Sequence, residues 1–256
     1  MTTHRRKRSS RAGAEEARFL ATYDPGDYER ISVAVDVVLI SAFDGNLSTL
    51  LARRREHPYR NRWALPGGFV HPRESLEHAA ARLLKDKGGL TGVFLEQLYT
   101  FGTPDRDPRT RVVSVAYYAL VEERRFAGLA ERSPEVITPR LHVPWQGEAG
   151  GPVEALDAAG RVLTLAFDHA EMLGTAVKRL RGKLNYAPIG FELLGDTFTL
   201  LELQRVHEAV LGRSVNKDAF RKRMLSTGLL TPTGRSQHGV VHRPAELYRF
   251  ARSPRE

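Results

Sequence analysis

The chain has 256 residues, with 39 Lys and Arg against 30 Asp and Glu, a formal net charge of +9, and no cysteine. That length exceeds one average domain and favours two, each able to bury its own core. The basic excess fits a polyanionic partner, whether nucleic acid, acidic lipid or a phosphorylated small molecule, and the lack of cysteine excludes disulfides and thiolate metal sites.

The N-terminus is basic (Arg5, Arg6, Lys7, Arg8, Arg11) without a following apolar region, so no secretory signal is expected. The longest apolar stretch, residues 33–40, is interrupted by Asp36 and is too short to span a bilayer. A cytoplasmic protein with no membrane partner is expected.

Residues 1–25 carry few large apolar side chains and read as a flexible basic arm. Residues 31–40 and 47–52 read as buried strands joined by the turn Asp44, Gly45, Asn46, and residues 112–121 form another β-branched and aromatic run. Between them Leu76, Ala79, Ala80, Leu83 and Leu84 repeat at helical spacing up to the stop at Gly88 and Gly89. Strands interleaved with a helix predict a mixed α/β domain. Residues 125–151, with Pro134, Pro139, Pro144, Gly147, Gly150 and Gly151, read as a long loop or insertion. Strand character returns over 162–167, then Asp168 caps a helix to about Leu184 whose last turn is cationic (Lys178, Arg179, Arg181, Lys183). Tyr186, Ala187 and Pro188 end it, which places the domains at 26–187 and 188–256.

The C-terminal region has another rhythm. Thr199 and Glu202 form a capping box before a helix with Leu203, Val206, Val210 and Leu211 on one side. Asn216 caps a second helix with Phe220 and Met224 inward, stopped by Gly228, and residues 229–231 and 245–250 complete a hairpin. Helix, turn, helix and hairpin is the order of a winged helix-turn-helix.

The segment from Trp63 to Arg82 carries Gly68, Glu74 and Arg82 at the spacing of the Nudix signature, and Gly89 and Leu90 continue it. The chain therefore resembles the Nudix family, which implies an α/β/α sandwich with a mixed sheet. In that family three glutamates on the helix hold divalent cations across a pyrophosphate. Those positions here are Leu83, Asp86 and Lys87, spaced i, i+3 and i+4 on one face, with a single carboxylate among them. Magnesium seeks anionic oxygen, and unit charges about 4 Å apart repel by roughly 4 kcal/mol at an effective dielectric of 20. Metal binding and catalysis are expected to be lost, so no catalytic residue, metal ligand or required cofactor is assigned. A register slipped by one residue, or a substitute site at Glu74 and Glu77, is the alternative.

Ligand recognition has its own candidates. Gly67 and Gly68 lead toward a helix N-terminus suited to phosphate. Arg106, Asp107, Pro108 and Arg109 are similar to the segment with which Nudix proteins meet ADP-ribose, where each guanidinium can give two parallel bonds to a pyrophosphate. A surface loop of local ion pairs is the plain alternative. With Arg54, Glu74 and Arg82, these residues make up the expected effector site.

On the second helix, Lys217, Arg221 and Lys222 face outward beside Asn216, and the hairpin adds Arg235, Gln237, His238 and Arg243 as wing contacts to DNA. A merely solvated face or a protein-interaction module is the alternative. Residues 198–213, 219–225 and 243–250 resemble the Nudix-related transcriptional regulators, the NrtR family. The resemblance implies a homodimeric repressor on a palindromic operator, controlling NAD synthesis or salvage, with ADP-ribose as effector. An active ADP-ribose pyrophosphatase with an appended domain is the rival reading.

Overall fold

The computed structural model describes residues 3–43, 45–184, 186–237 and 244–251. The chain divides into two units, Met1–Ile31 and Ser32–Glu256.

In the first unit, helix α1 (Thr3–Thr22) precedes a 3₁₀ turn, Pro25–Asp27, where the Asp24 carboxylate accepts from the Gly26 N–H at 2.7 Å. The segment read as a flexible arm is thus helical over most of its length. Its Arg, Lys, Ala and Glu are good helix formers, and the single Gly13 does not outweigh them.

The second unit begins with β1 (Ser32–Phe43), β2 (Asn46–Thr49), β3 (Leu51–Arg53), β4 (Trp63–Ala64) and β5 (Gly67–Phe69), followed by α2 (Leu76–Gly88). Then come β6 (Phe94–Phe101), β7 (Val112–Leu120), α3 (Glu123–Ala127), β8 (Val136–Ile137), β9 (Arg140–His142), β10 (Glu154–Leu156) and α4 (His169–Lys183). The main sheet runs β10-β9-β2-β1-β7-β6, with β5 also on β1; β1 and β7 are parallel and the other pairs antiparallel. A smaller sheet runs β4-β3-β8.

Strand β1 explains the layering. Val35, Val37 and Leu39 point into a core with Ala79, Ala80, Leu83 and Leu84 of α2, while Val38, Ile40 and Ala42 point into another with Met172, Leu173, Ala176 and Leu180 of α4. A strand covered on both faces reads as a continuous apolar run rather than an alternation. This is the α/β/α sandwich with a mixed sheet. Ser75 caps α2 by accepting from the His78 N–H, and Gly89 ends it at φ 63°, a left-handed position suited to glycine.

Two local expectations are corrected. Residues 125–151 are not one irregular loop: β8 joins the small sheet and β9 lies between β10 and β2 in the main one. Residues 162–167 form no strand and make only isolated bridges, Leu156 with Val162 and Trp63 with Leu165. The strand lies earlier, at β10, because pairing with β9 decides it rather than local β-propensity.

After a 3₁₀ turn, Pro188–Leu193, come α5 (Leu200–Leu211), α6 (Lys217–Ser226), β11 (Leu230–Ser236) and β12 (Glu246–Phe250). Thr199 and Glu202 form the expected capping box, and the Asn216 side chain accepts from the Ala219 N–H at 2.9 Å. Phe198, Leu203, Phe220 and Tyr248 make a small core, with Met224 against it, and Phe198 bridges Tyr248 beside the β11-β12 ribbon. This is the winged helix-turn-helix. Val206 and Val210 of α5 belong to the α4 core, so the two domains share apolar packing.

His207 of α5 is buried, and burial together with Arg223 lowers its pKa from 6.5 to about 4. Below pH 6.5 the unfolded chain takes up a proton that the folded chain refuses, so stability falls as pH falls through this window. Burial lowers the pKa of His169 as well. Urea unfolding in a phosphate-free buffer is expected to show a stability loss from pH 7 to pH 5 to which His207 contributes about 2 kcal/mol. His207→Leu should flatten the profile by that amount.

Candidate functional site

A cavity of about 620 Å³ opens where β1, β3, β5, the end of α2 and the loop before β7 meet. Its floor starts at Asp36, buried on β1, whose Oδ2 accepts from the Ser114 hydroxyl at 2.6 Å. Arg106 Nη2 and His169 Nε2 each lie 3.7 Å from that carboxylate. His169 Nδ1 accepts from the Leu65 N–H at 3.0 Å, which places its proton on Nε2, and burial keeps the ring neutral.

Gly67 pairs with Asp36 across β5 and β1, and a Cβ there would stand 1.8 Å from Asp36 Oδ1. Gly68 likewise lies against Leu83, whose Cδ2 would be 2.9 Å from an added Cβ. Position 67 therefore needs glycine for close approach, whereas a Cβ at 68 meets only the end of the Leu83 side chain.

The cations fall into two groups. Arg106 is buried and gives two bonds to Asp168, at 2.8 and 2.6 Å, and Arg109 gives two to Asp107, at 3.0 and 2.7 Å. Arg54 and Lys87 have no such carboxylate among the described residues. Arg54 donates to the Pro58 carbonyl at 2.8 Å and lies over the Phe167 ring, 4.8 Å from its centroid. Lys87 donates to the Gly67 carbonyl. Burial lowers the pKa of each; Arg109 lowers that of Arg54 further and Arg54 and Arg82 that of Lys87, while Asp36 pulls both in the opposite direction. Like charges are thus crowded around a space, the condition that an anion relieves.

Phe167 sits at φ 51°, left-handed for a residue with a bulky side chain. Its ring is held edge-to-face by Tyr59 at 4.8 Å and lies 5.4 Å from His169. It lines the cavity, as does Phe69.

On α6, Lys217, Arg221 and Lys222 are exposed, as is Arg235 on β11, and Gln237 is half-buried at the ribbon's end. His238 and Arg243 lie outside the described residues. Asn216 serves as the helix cap.

Comparison with known proteins gives a consistent result. A NUDIX domain model matches residues 30–147, and the NrtR DNA-binding winged helix domain matches residues 190–250. The "ADPR responsive transcriptional repressor NtrR" of Acinetobacter baylyi is 36% identical over 240 residues, covering 93% of this chain and 89% of that protein. The chain belongs to the NrtR family. The crystal structure of Shewanella oneidensis NrtR complexed with a 27mer DNA is 34% identical, covers 85% of this chain and 93% of its own, and superposes with a TM-score of 0.71. A MutT/nudix family protein from Enterococcus faecalis is 32% identical over 93% of each chain, with a TM-score of 0.72.

Within this NrtR-family chain, Arg54, Gly67, Gly68, Arg106, Asp107 and Arg109 line one cavity, whereas Glu74 and Arg82 do not. Arg82 gives Glu74 two bonds, at 2.6 and 2.7 Å, and reaches the Phe69 carbonyl at 3.2 Å. The pair fastens the loop after β5 to α2, and the Arg82 hydrogen bond holds the Glu74 pKa down at about 2. Of the three signature positions, Asp86 and Lys87 line the cavity, and Leu83, one turn before Lys87 on the same side of α2, is buried under Gly68. Among the described residues no group of three or more His, Asp or Glu is arranged to hold a metal ion.

Sequence reasoning missed Asp36, Phe167 and His169. The one available signal was an acidic residue inside an otherwise apolar strand. Replacing Gly67 tests the floor: Gly67→Ala is expected to destabilise the fold by about 3 kcal/mol or more through collision with Asp36. Chemical denaturation should show the double variant Gly67→Ala, Asp36→Ala recovering part of that loss, because the colliding oxygen is gone.

Proposed function

We propose that the chain is a DNA-binding transcriptional repressor of NAD biosynthesis or salvage genes, whose operator affinity responds to ADP-ribose or a related NAD metabolite held in the cavity beside Gly67. The observation that carries this reading is the convergence of Arg54, Lys87 and Arg109 on one cavity, with Arg54 and Lys87 lacking carboxylate partners among the described residues. A pyrophosphate supplies the missing negative charge, and guanidinium groups can meet it with charge-assisted bonds. The wall at Phe167 gives an aromatic surface for an apolar or base portion.

Divalent-metal chemistry does not fit the residues present. From α2 the cavity receives one carboxylate, Asp86, and beside it the Lys87 ammonium bonded to Gly67. A cation brought there meets a fixed positive charge, so hydrolysis through a metal-activated water is not part of this reading. The relatives support the regulatory side: one carries the name of an ADPR responsive repressor, and another was crystallised on a 27mer DNA.

For DNA, α6 enters the major groove with Lys217, Arg221 and Lys222 outward, and Arg235 and Gln237 lie on the wing. A homodimer places two such units on a palindromic operator. Effector binding releases the operator, so that NAD breakdown products restore NAD synthesis.

Mobility shift on duplexes selected from randomised DNA by the chain itself, with product analysis of the same mixture, tests this. ADP-ribose is expected to abolish the shift while remaining intact. Arg54→Ala with Lys87→Ala should weaken ADP-ribose binding about tenfold or more and remove the response. Arg221→Ala with Lys222→Ala should weaken DNA binding and spare ADP-ribose affinity. Robust Mg²⁺-dependent turnover would instead favour an ADP-ribose pyrophosphatase and sink the repressor reading as stated.

A further inference from the structure

A second cavity, of about 350 Å³, lies where the C-terminal half of α4, the Gly147–Glu148 turn, the end of α5 and the start of α6 meet. None of its walls belongs to the cavity described above. Its volume is near the lower end of small-molecule sites, roughly 300–1,000 Å³, and suits a compact ligand rather than a dinucleotide.

Arg181, from α4, is 4% exposed. Its Nε donates to the Val210 carbonyl at 2.8 Å and its Nη1 to the Trp145 and Gly147 carbonyls, both at 3.1 Å. Nη2 makes no hydrogen bond among the described residues, and no carboxylate there lies within ion-pair distance of this guanidinium. The side chain is nearly buried, yet this amino group keeps access to the cavity and is free to donate to a ligand there. Gly212, at φ 67°, keeps that amino group uncovered, since a Cβ would stand 2.9 Å from Nη2.

His207 lines the same space and is 6% exposed. Its ring packs edge-to-face on Phe220 at 5.0 Å but makes no hydrogen bond among the described residues. Neutral imidazole still offers one N–H donor. Arg213 and Arg223 complete the charged lining, and Glu148 is its one acidic side chain. Three arginines against one glutamate leave an excess of two positive charges around the space.

We propose that this cavity is a second binding site, for the phosphate group of a small metabolite, with Arg213 and Arg223 supplying charge and Arg181 Nη2 and His207 supplying donors that reach it from nearly buried side chains. The walls come from α4 on one side and from α5 and α6 on the other. An occupied site therefore ties the recognition helix to the helix that leaves the first cavity. The proposal does not depend on ADP-ribose being the ligand of that first cavity.

Calorimetric titration of the full chain with inorganic phosphate tests it, with the His207 imidazole ¹⁵N resonances followed in parallel. Arg213→Gln with Arg223→Gln changes only surface-reaching side chains and should lower phosphate affinity about tenfold or more. His207 resonances should shift on phosphate addition in the parent chain and not in that variant. Arg54→Ala with Lys87→Ala, at the first cavity, should leave this binding within about twofold. Phosphate affinity that is indifferent to the Arg213 and Arg223 changes, or that disappears with Arg54 and Lys87, overturns the proposal. So does loss of DNA affinity with phosphate binding intact, which would assign these arginines to the DNA backbone instead.

Discussion

Burying a carboxylate costs several kcal/mol unless its oxygens and its charge are met, and Asp36 sits in the middle of β1 with apolar neighbours on both sides. Ser114 of β7 gives it a hydrogen bond, and Arg106 and His169 face it at 3.7 Å. Each of those partners must be delivered by a different segment: the parallel pairing of β1 with β7, the loop before β7, and the first turn of α4. The same carboxylate forces glycine at position 67, because β5 crosses too close for any side chain. One buried charge thus fixes the relative placement of two strands, a loop and a helix start, and the cavity is what remains between them.

The consequence extends along α4. Its first residue, His169, is bonded to Leu65 and faces Asp36, and Asp168 just before it is spent on Arg106 rather than on capping the helix. Fifteen residues of helix span about 22 Å, and near the other end Arg181 holds the Val210 carbonyl of α5. Val206 and Val210 also share the apolar core of α4. A ligand that prefers one setting of the Asp36 and Asp168 cluster therefore biases the element against which the DNA-binding domain packs. That differential preference is the thermodynamic requirement for coupling two sites.

What was legible in the sequence follows from how local its cause is. The Thr199 and Asn216 caps, the Gly89 stop and the buried β1 run are decided by a few neighbouring residues, and each stands in the structure where the pattern placed it. Arg54, Gly67, Gly68, Arg106, Asp107 and Arg109 were found through a family pattern and do meet at one cavity. Phe167 was hidden because 162–167 has strand-forming composition while the structure gives it only isolated bridges and a turn at its end, and His169 because a lone histidine at a helix start announces no partner. Arg181 was read as a cation placed for its own helix's C-terminus, but its bonds go to the Val210 carbonyl and the 145–147 turn, which no local pattern announces. Glu74 and Arg82, found through the same pattern, lie outside that cavity. A signature position need not touch the ligand, and here the pair fastens a loop.

Lys87 gives the first cavity its distinct chemistry. A metal ion beside the glycine turn would bring positive charge and an activated water together, and binding and cleavage would then be inseparable. An ammonium fixed to the Gly67 carbonyl brings charge alone. It can neutralise a phosphate but can neither polarise water to hydroxide nor be exchanged. Leu83, one turn earlier on α2, is buried under Gly68 and belongs to the core that positions the site, whereas Asp86 and Lys87 reach the cavity and set its charge. On the proposed reading, a pocket that holds its ligand intact is what a sensor needs, since a ligand destroyed on contact reports only its rate of supply.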